Sequence, residues 1–263
     1  MATVISNVYS AKINVHMAIE AVTKAVVIET KAETNTAALT PVISSALNLV
    51  TIAKSKVREA IKLNINNFNI NANLVVAKAK FNLALANAKL AVIDVKTNKM
   101  TIKLLKAKSE VIKAYANAIK AKTVADVILA KEDAIKTRTE VNIIVTKIES
   151  MKVITKADRV FANNSIAFLL TVKSKVIEAE AKVIEANNII DMANFNIEII
   201  KVYIDNLVTK LNIGKANIIN TKAIVNKALA NLYKLSNHIK INSWLANSPL
   251  NTIIESEIDD TNI

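Results

Sequence analysis

His16 and Glu20 stand four residues apart, and on a helix that spacing puts an imidazole and a carboxylate on one face. Such a pair could begin a metal site or a proton relay. A zinc site takes three or four protein ligands, however, and the second histidine, His238, is far away in sequence. The chain has no cysteine, which removes thiolate chemistry and disulfides. It has no Ser/His/Asp arrangement and no Glu-x-x-His pair, so nucleophilic catalysis and a di-metal bundle have no candidate residues. Catalytic, cofactor-binding and metal-binding residues are all read as none, and the chain is read as not an enzyme.

The carboxylates Glu178, Glu180 and Glu185 lie among lysines at helical spacing, with Glu178 four residues before Lys182, the favourable polarity for a helix-surface ion pair. They read as a solvated face. Asn163-Asn164-Ser165 matches a glycosylation acceptor by pattern only. Tyr203, Tyr233 and Trp244 are spread along the C-terminal part of the chain and read as aromatics packed at helix boundaries. Stacking on bases would need a concentrated cationic groove beside them.

Glycine narrows the function classes further. Gly214 is the single glycine in 263 residues, beside two prolines. Dinucleotide and P-loop sites use glycine where backbone must approach a phosphate, so both are excluded. Hydrophobic residues make up 52% of the chain and aromatics only 4%, so Ala, Ile, Val and Leu supply the apolar surface. These side chains fill narrow seams between helices.

A heptad sets the architecture. From Val141, every seventh residue is Val141, Ile148, Thr155, Ala162, Leu169, Val176, Val183, Ile190, Ile197, Ile204, Leu211, Ile218, Val225, Leu232 and Ile239, and thirteen of the fifteen are Val, Ile or Leu. A 3.5-residue repeat of this length is what a coiled-coil or bundle seam requires. Three residues after each lead position stand mostly Ala or aliphatic residues. The expected fold is all-α, with long amphipathic helices forming a coiled coil or an elongated antiparallel helical bundle.

Four regions follow. Residues 1–63 read as a helical hairpin broken near Pro41, since the residue before proline is steered out of the α region. Residues 64–140 read as Ala-rich amphipathic helices. Their asparagine-rich start, Asn64 to Asn73, is the best interior break, and the period-two stretch Ala77 to Leu85 admits a strand as an alternative. A more polar stretch at 94–103 could hold a bend, and the shifted Ala-rich phase after Val111 is either a stutter or a turn. Residues 141–244 carry the heptad, with a fold-back expected at 155–165, where Thr155, Asp158, Ala162 and Ser165 depart from the pattern, and a second bend at Gly214. Residues 245–263 read as a frayed acidic tail.

The formal charge is +13, from 35 Lys+Arg against 22 Asp+Glu, and only three of the cations are arginine. The excess reads as spread along the chain. Lysine over arginine, with abundant Asn and Ile, also fits a low-GC coding bias, and biased composition alone could give a loosely packed bundle. Specific nucleic-acid binding is not expected. The longest uncharged stretch, Thr34 to Ala53, contains Asn35, Pro41, Ser44, Ser45 and Asn48, so no transmembrane span is expected. The start lacks the basic-then-apolar order of a signal peptide, which favours an intracellular location without assigning one.

The functional expectation is a structural scaffold that self-associates through Val176, Val183, Ile190, Ile197, Ile204, Leu211, Ile218, Val225 and Leu232, with another copy or a helical protein as partner. No cofactor is implied. The alternative is a peripheral protein whose lysine-edged helices make a weak contact with an anionic lipid surface.

Overall fold

The computed structural model describes residues 2–66, 70–151 and 155–236, excluding the side chains of 2–5, 65–66 and 70–71. Among these residues the chain is all-α, with four helices: α1 (Ala2–Ala37), α2 (Leu39–Asn66), α3 (Ile70–Glu149) and α4 (Lys156–Ser236). Ala, Leu, Lys and Glu favour helix intrinsically, and the many threonines are accommodated by bonding backward. Thr51, Thr97, Thr123 and Thr171 each donate a hydroxyl hydrogen bond to the carbonyl four residues earlier, at 2.8–3.1 Å. No buried side-chain N or O atom among the described residues lacks a partner.

The break near Pro41 is one residue wide. Ala38 separates α1 from α2, and its N–H still donates to the Thr34 carbonyl at 3.1 Å, as inside a helix. Pro41 is the third residue of α2, where its missing N–H costs no hydrogen bond. The chain therefore does not turn back at this proline, and the expected hairpin is not formed there. The asparagine-rich break lies between Asn66 and Ile70, with 67–69 outside the described residues. Asn64 Nδ2 donates to Asn73 Oδ1 across it at 3.1 Å.

α3 and α4 are joined at 150–155, just before the expected fold-back. Thr155 and Asp158 form a reciprocal cap. The Asp158 carboxylate accepts from the Thr155 N–H at 2.9 Å and from its hydroxyl at 2.6 Å, and the Asp158 N–H donates back to the Thr155 hydroxyl at 3.3 Å. This is the capping-box arrangement with Asp in place of Glu. The two residues broke the heptad because they start a helix. From Lys156 onward the chain is helical, so Asn163, Asn164 and Ser165 lie within α4. The heptad is thus divided: Val141 and Ile148 belong to α3, and Ala162 to Leu232 belong to α4.

Contacts group the chain into two compact units. The first contains Met1–Glu29 and Ala107–Lys201; the second contains Thr30–Lys106 and the chain from Val202 onward. α3 is unbroken from 70 to 149, so the polar stretch at 94–103 holds no interruption and the phase shift after Val111 is a stutter within one helix.

The second unit has the larger side chains in its core. α3 stands between two neighbours there. Leu74, Phe81, Ala84 and Ala88 pack with Val225 and Leu232 of α4, while Ala86, Leu83 and Leu90 pack with Val50 and Ala53 of α2. A helix flanked on two sides needs two apolar stripes, and interleaved they read as period two. That is why Ala77 to Leu85 admitted a strand; the segment is helix. Farther along, Val92, Val95 and Ile102 close on Leu211 and Ile218.

Gly214 sits inside this interface without interrupting α4. A Cβ built there would lie 2.7 Å from Val95 Cγ2, nearer than two carbons can stand. The glycine does not break the helix. It lets α3 and α4 approach.

In the first unit the buried positions are mostly small: Ala11, Ala107, Ala116, Ala125, Ala179 and Ala186, with Val141, Ile148 and Val172.

Candidate functional site

The chemistry-bearing residues do not converge. His16 is exposed on α1, and His238 lies outside the described residues. No group of three or more His, Asp or Glu side chains that could hold a metal occurs among the described residues. The grooves are open, and one of them is lined by a carboxylate and an ammonium. One of about 480 Å³ runs over Val76, Ala77 and Leu235 between Lys80 and Lys234; another, of about 280 Å³, places Asp94 near Lys210 beside Gly214. Partial desolvation raises the Asp94 carboxyl above its ordinary range.

The nine seam residues all face inward, but to different depths. Leu211, Ile218, Val225 and Leu232 are buried in the second unit against α3, with Leu211 only 2% exposed and Leu232 1%. Ile204 packs against the same cluster. In the first unit, Val176, Val183, Ile190 and Ile197 are half-buried. The structure therefore sets these positions toward the interior of a single chain. Tyr203 and Tyr233, expected at packed helix boundaries, are exposed on α4, because the seam lies on another side of the helix. Trp244 is outside the described residues.

Charge is partitioned between the units. Among described residues, the second unit carries seventeen Lys+Arg against four carboxylates, Glu33, Glu59, Asp94 and Asp205. The first carries sixteen against fourteen. The net charge that read as spread along the chain is concentrated in one unit; counting along the sequence hid it because each unit is assembled from separate segments.

In the first unit, several charges are paired. Lys182 meets Glu178 at 2.9 Å, the pair anticipated from spacing, and Lys131 of α3 meets Glu180 of α4 at 2.8 Å. Glu20 pairs with Lys24 at 2.7 Å. The Lys182 hydrogen bond holds the Glu178 carboxyl below its usual range, and Glu178 in turn raises the Lys182 ammonium. All these groups are solvent-exposed, so the pairs add little to stability.

The outer faces are unusually apolar. On α4 of the first unit, Ile166, Leu170, Ile177, Ile184, Met192, Phe195 and Ile199 are all exposed, with Ile177 at 68% and Phe195 at 67%. Their separations of 4, 7, 7, 8, 3 and 4 residues place them on one helical stripe, away from the seam. The stripe was missed in the sequence because the stronger heptad ran through the same stretch of chain. On α2, Val42, Leu47, Leu49 and Ile52 are also exposed. The helical stretch Ser6–Asn64 contains a window long and apolar enough to cross a membrane by length and composition, and little of that window is buried.

Comparisons with protein-family models, with curated proteins and with solved structures return no match.

Proposed function

We propose that this chain is a structural, non-enzymatic helical protein that self-associates through the outer face of α4 in its first unit. The observation that carries the reading is the exposed stripe from Ile166 to Ile199. Contiguous exposed apolar surface of this extent marks interaction sites. Buried at about 100 Å² per side chain, seven such residues from each of two copies would cover about 1,400 Å², within the range of a standard protein interface.

The distribution of charge along residues 156–199 of α4 favours a second copy in antiparallel orientation. Residues 156–175 carry Lys156, Arg159, Lys173 and Lys175 against Asp158, whereas 176–199 carry Glu178, Glu180, Glu185, Asp191 and Glu198 against Lys182. Reversing one copy sets a basic half against an acidic half at both ends, as an isologous pair requires. The face differs from the seam read in the sequence, whose residues are turned inward within one chain.

Sedimentation velocity tests this. The wild type should sediment as a dimer or larger, and Ile184→Glu with Phe195→Glu should return it to the mass of one chain with helicity unchanged, since both side chains are exposed. A wild type of single-chain mass, or a variant of unchanged mass, would contradict the proposal.

A further inference from the structure

We infer that the second unit docks on the surface of an anionic lipid bilayer, with α2 lying against it, a role separate from self-association in the first unit. The occupant follows from charge complementarity. Among the unit's described residues, seventeen cations stand against four carboxylates, an excess that pairing among them cannot cancel. The same unit contains Thr34 to Ala53, twenty residues without a charge, followed directly by Lys54, Lys56, Arg58 and Lys62 with only Glu59 opposing them.

α2 therefore has an uncharged half and a cationic half. Its buried line, Ala46, Val50, Ala53 and Ala60, is made of small side chains directed into the unit, while Val42, Leu49 and Ile52 are exposed along one flank of that line and Leu47 on the other. Lys89 of α3 lines a groove with Val42 and Leu49, which places an ammonium beside that apolar surface. Lysine suits such an edge, because its stem lies along acyl chain while its head stays with the phosphates. Packing through Val50, Ala53 and Ala86 ties α2 to α3, so α2 lies on the bilayer and does not cross it.

Polynucleotide is the poorer match. Arg58 is the sole arginine of the unit, so bidentate phosphate recognition is nearly absent. The described part of α2 has no aromatic residue, Phe81 is buried, and the exposed Tyr203 and Tyr233 stand thirty residues apart on α4, so no stacking platform forms.

The test sediments the full chain with vesicles of phosphatidylcholine alone and of phosphatidylcholine with phosphatidylserine. Two variants accompany the wild type. Lys54→Gln, Lys56→Gln and Lys62→Gln neutralise exposed cations of α2; Lys113→Gln, Lys120→Gln and Lys122→Gln remove the same number from the first unit. Circular dichroism confirms that each retains its helicity. The expected result is binding to the anionic vesicles only, weakened about tenfold in the α2 variant and at about 0.5 M salt, and nearly unchanged in the first-unit variant. Four outcomes would overturn the inference: no binding, equal binding to uncharged vesicles, equal loss in both variants, or binding to single-stranded RNA in place of vesicles. Resistance of bound protein to alkaline carbonate would overturn the surface-lying geometry in favour of a spanning helix.

Discussion

The two units are built from the same long helices, yet they are stabilised differently. In the second unit, α3 presents Phe81, Val92, Val95 and Ile102, and α4 answers with Leu211, Ile218, Val225 and Leu232, all buried. In the first, α3 presents Ala107, Ala116 and Ala125 before Val141 and Ile148, and on α4 Val172 is buried but Val176, Val183, Ile190 and Ile197 are only half-buried. From Leu169 onward the lead positions of the heptad are Val, Ile or Leu in both units. Periodicity selects the face of a helix that turns inward; the volume of the facing side chains decides how completely that face is sealed. Charge divides along the same line, nearly balanced where packing is thin and strongly cationic where it is tight.

Gly214 offers the largest single test of the tight side. Alanine should improve helix propensity by about 1 kcal/mol at an ordinary position. Here its Cβ meets Val95 Cγ2, and valine has little rotamer freedom to move aside. Gly214→Ala is expected to destabilise by about 1–3 kcal/mol in urea denaturation. Val95→Ala in the same chain should recover part of that loss. A more stable Gly214→Ala variant would mean that α3 and α4 are not closely packed at this point.

The next effect in size belongs to the joint between α3 and α4. Thr155→Ala should cost about 1 kcal/mol, a typical value for a lost N-cap. The hydroxyl and then the backbone N–H of Thr155 hold the Asp158 carboxyl below its ordinary range. A depressed carboxylate contributes stability above its unfolded pKa and loses it as pH falls through the folded one. The difference between wild type and Asp158→Asn should therefore be present at neutral pH and fade below about pH 3.9. A difference that grows in acid would contradict the cap.

Much of this architecture is legible in the residues. The all-α class, the inward side of α4 and the Glu178–Lys182 pair follow from periodicity and spacing, which are local properties. What escaped was set by neighbours. Period-two apolarity at Ala77 to Leu85 meant two helix partners, not a strand. Thr155 and Asp158 looked like damage to a seam and are a cap. Gly214 looked like a missing knob in the seam and is a point of close approach. Reading +13 as diffuse failed because proximity in the fold joins residues 30–106 to those after 202. The exposed stripe of α4 needed the seam's location first, since the chain is apolar on more than one side of that helix.

The most direct test is amide hydrogen exchange on the full chain at two protein concentrations, since protection reports local opening. The amides of 81–102 and 211–232 should exchange slowly at both. Those of 166–199 should exchange faster when the protein is dilute and slow as concentration rises, as the outer face of α4 becomes covered. Uniform protection of both units in dilute solution would contradict the difference in packing, and exchange at 166–199 that ignores concentration would contradict self-association through that face.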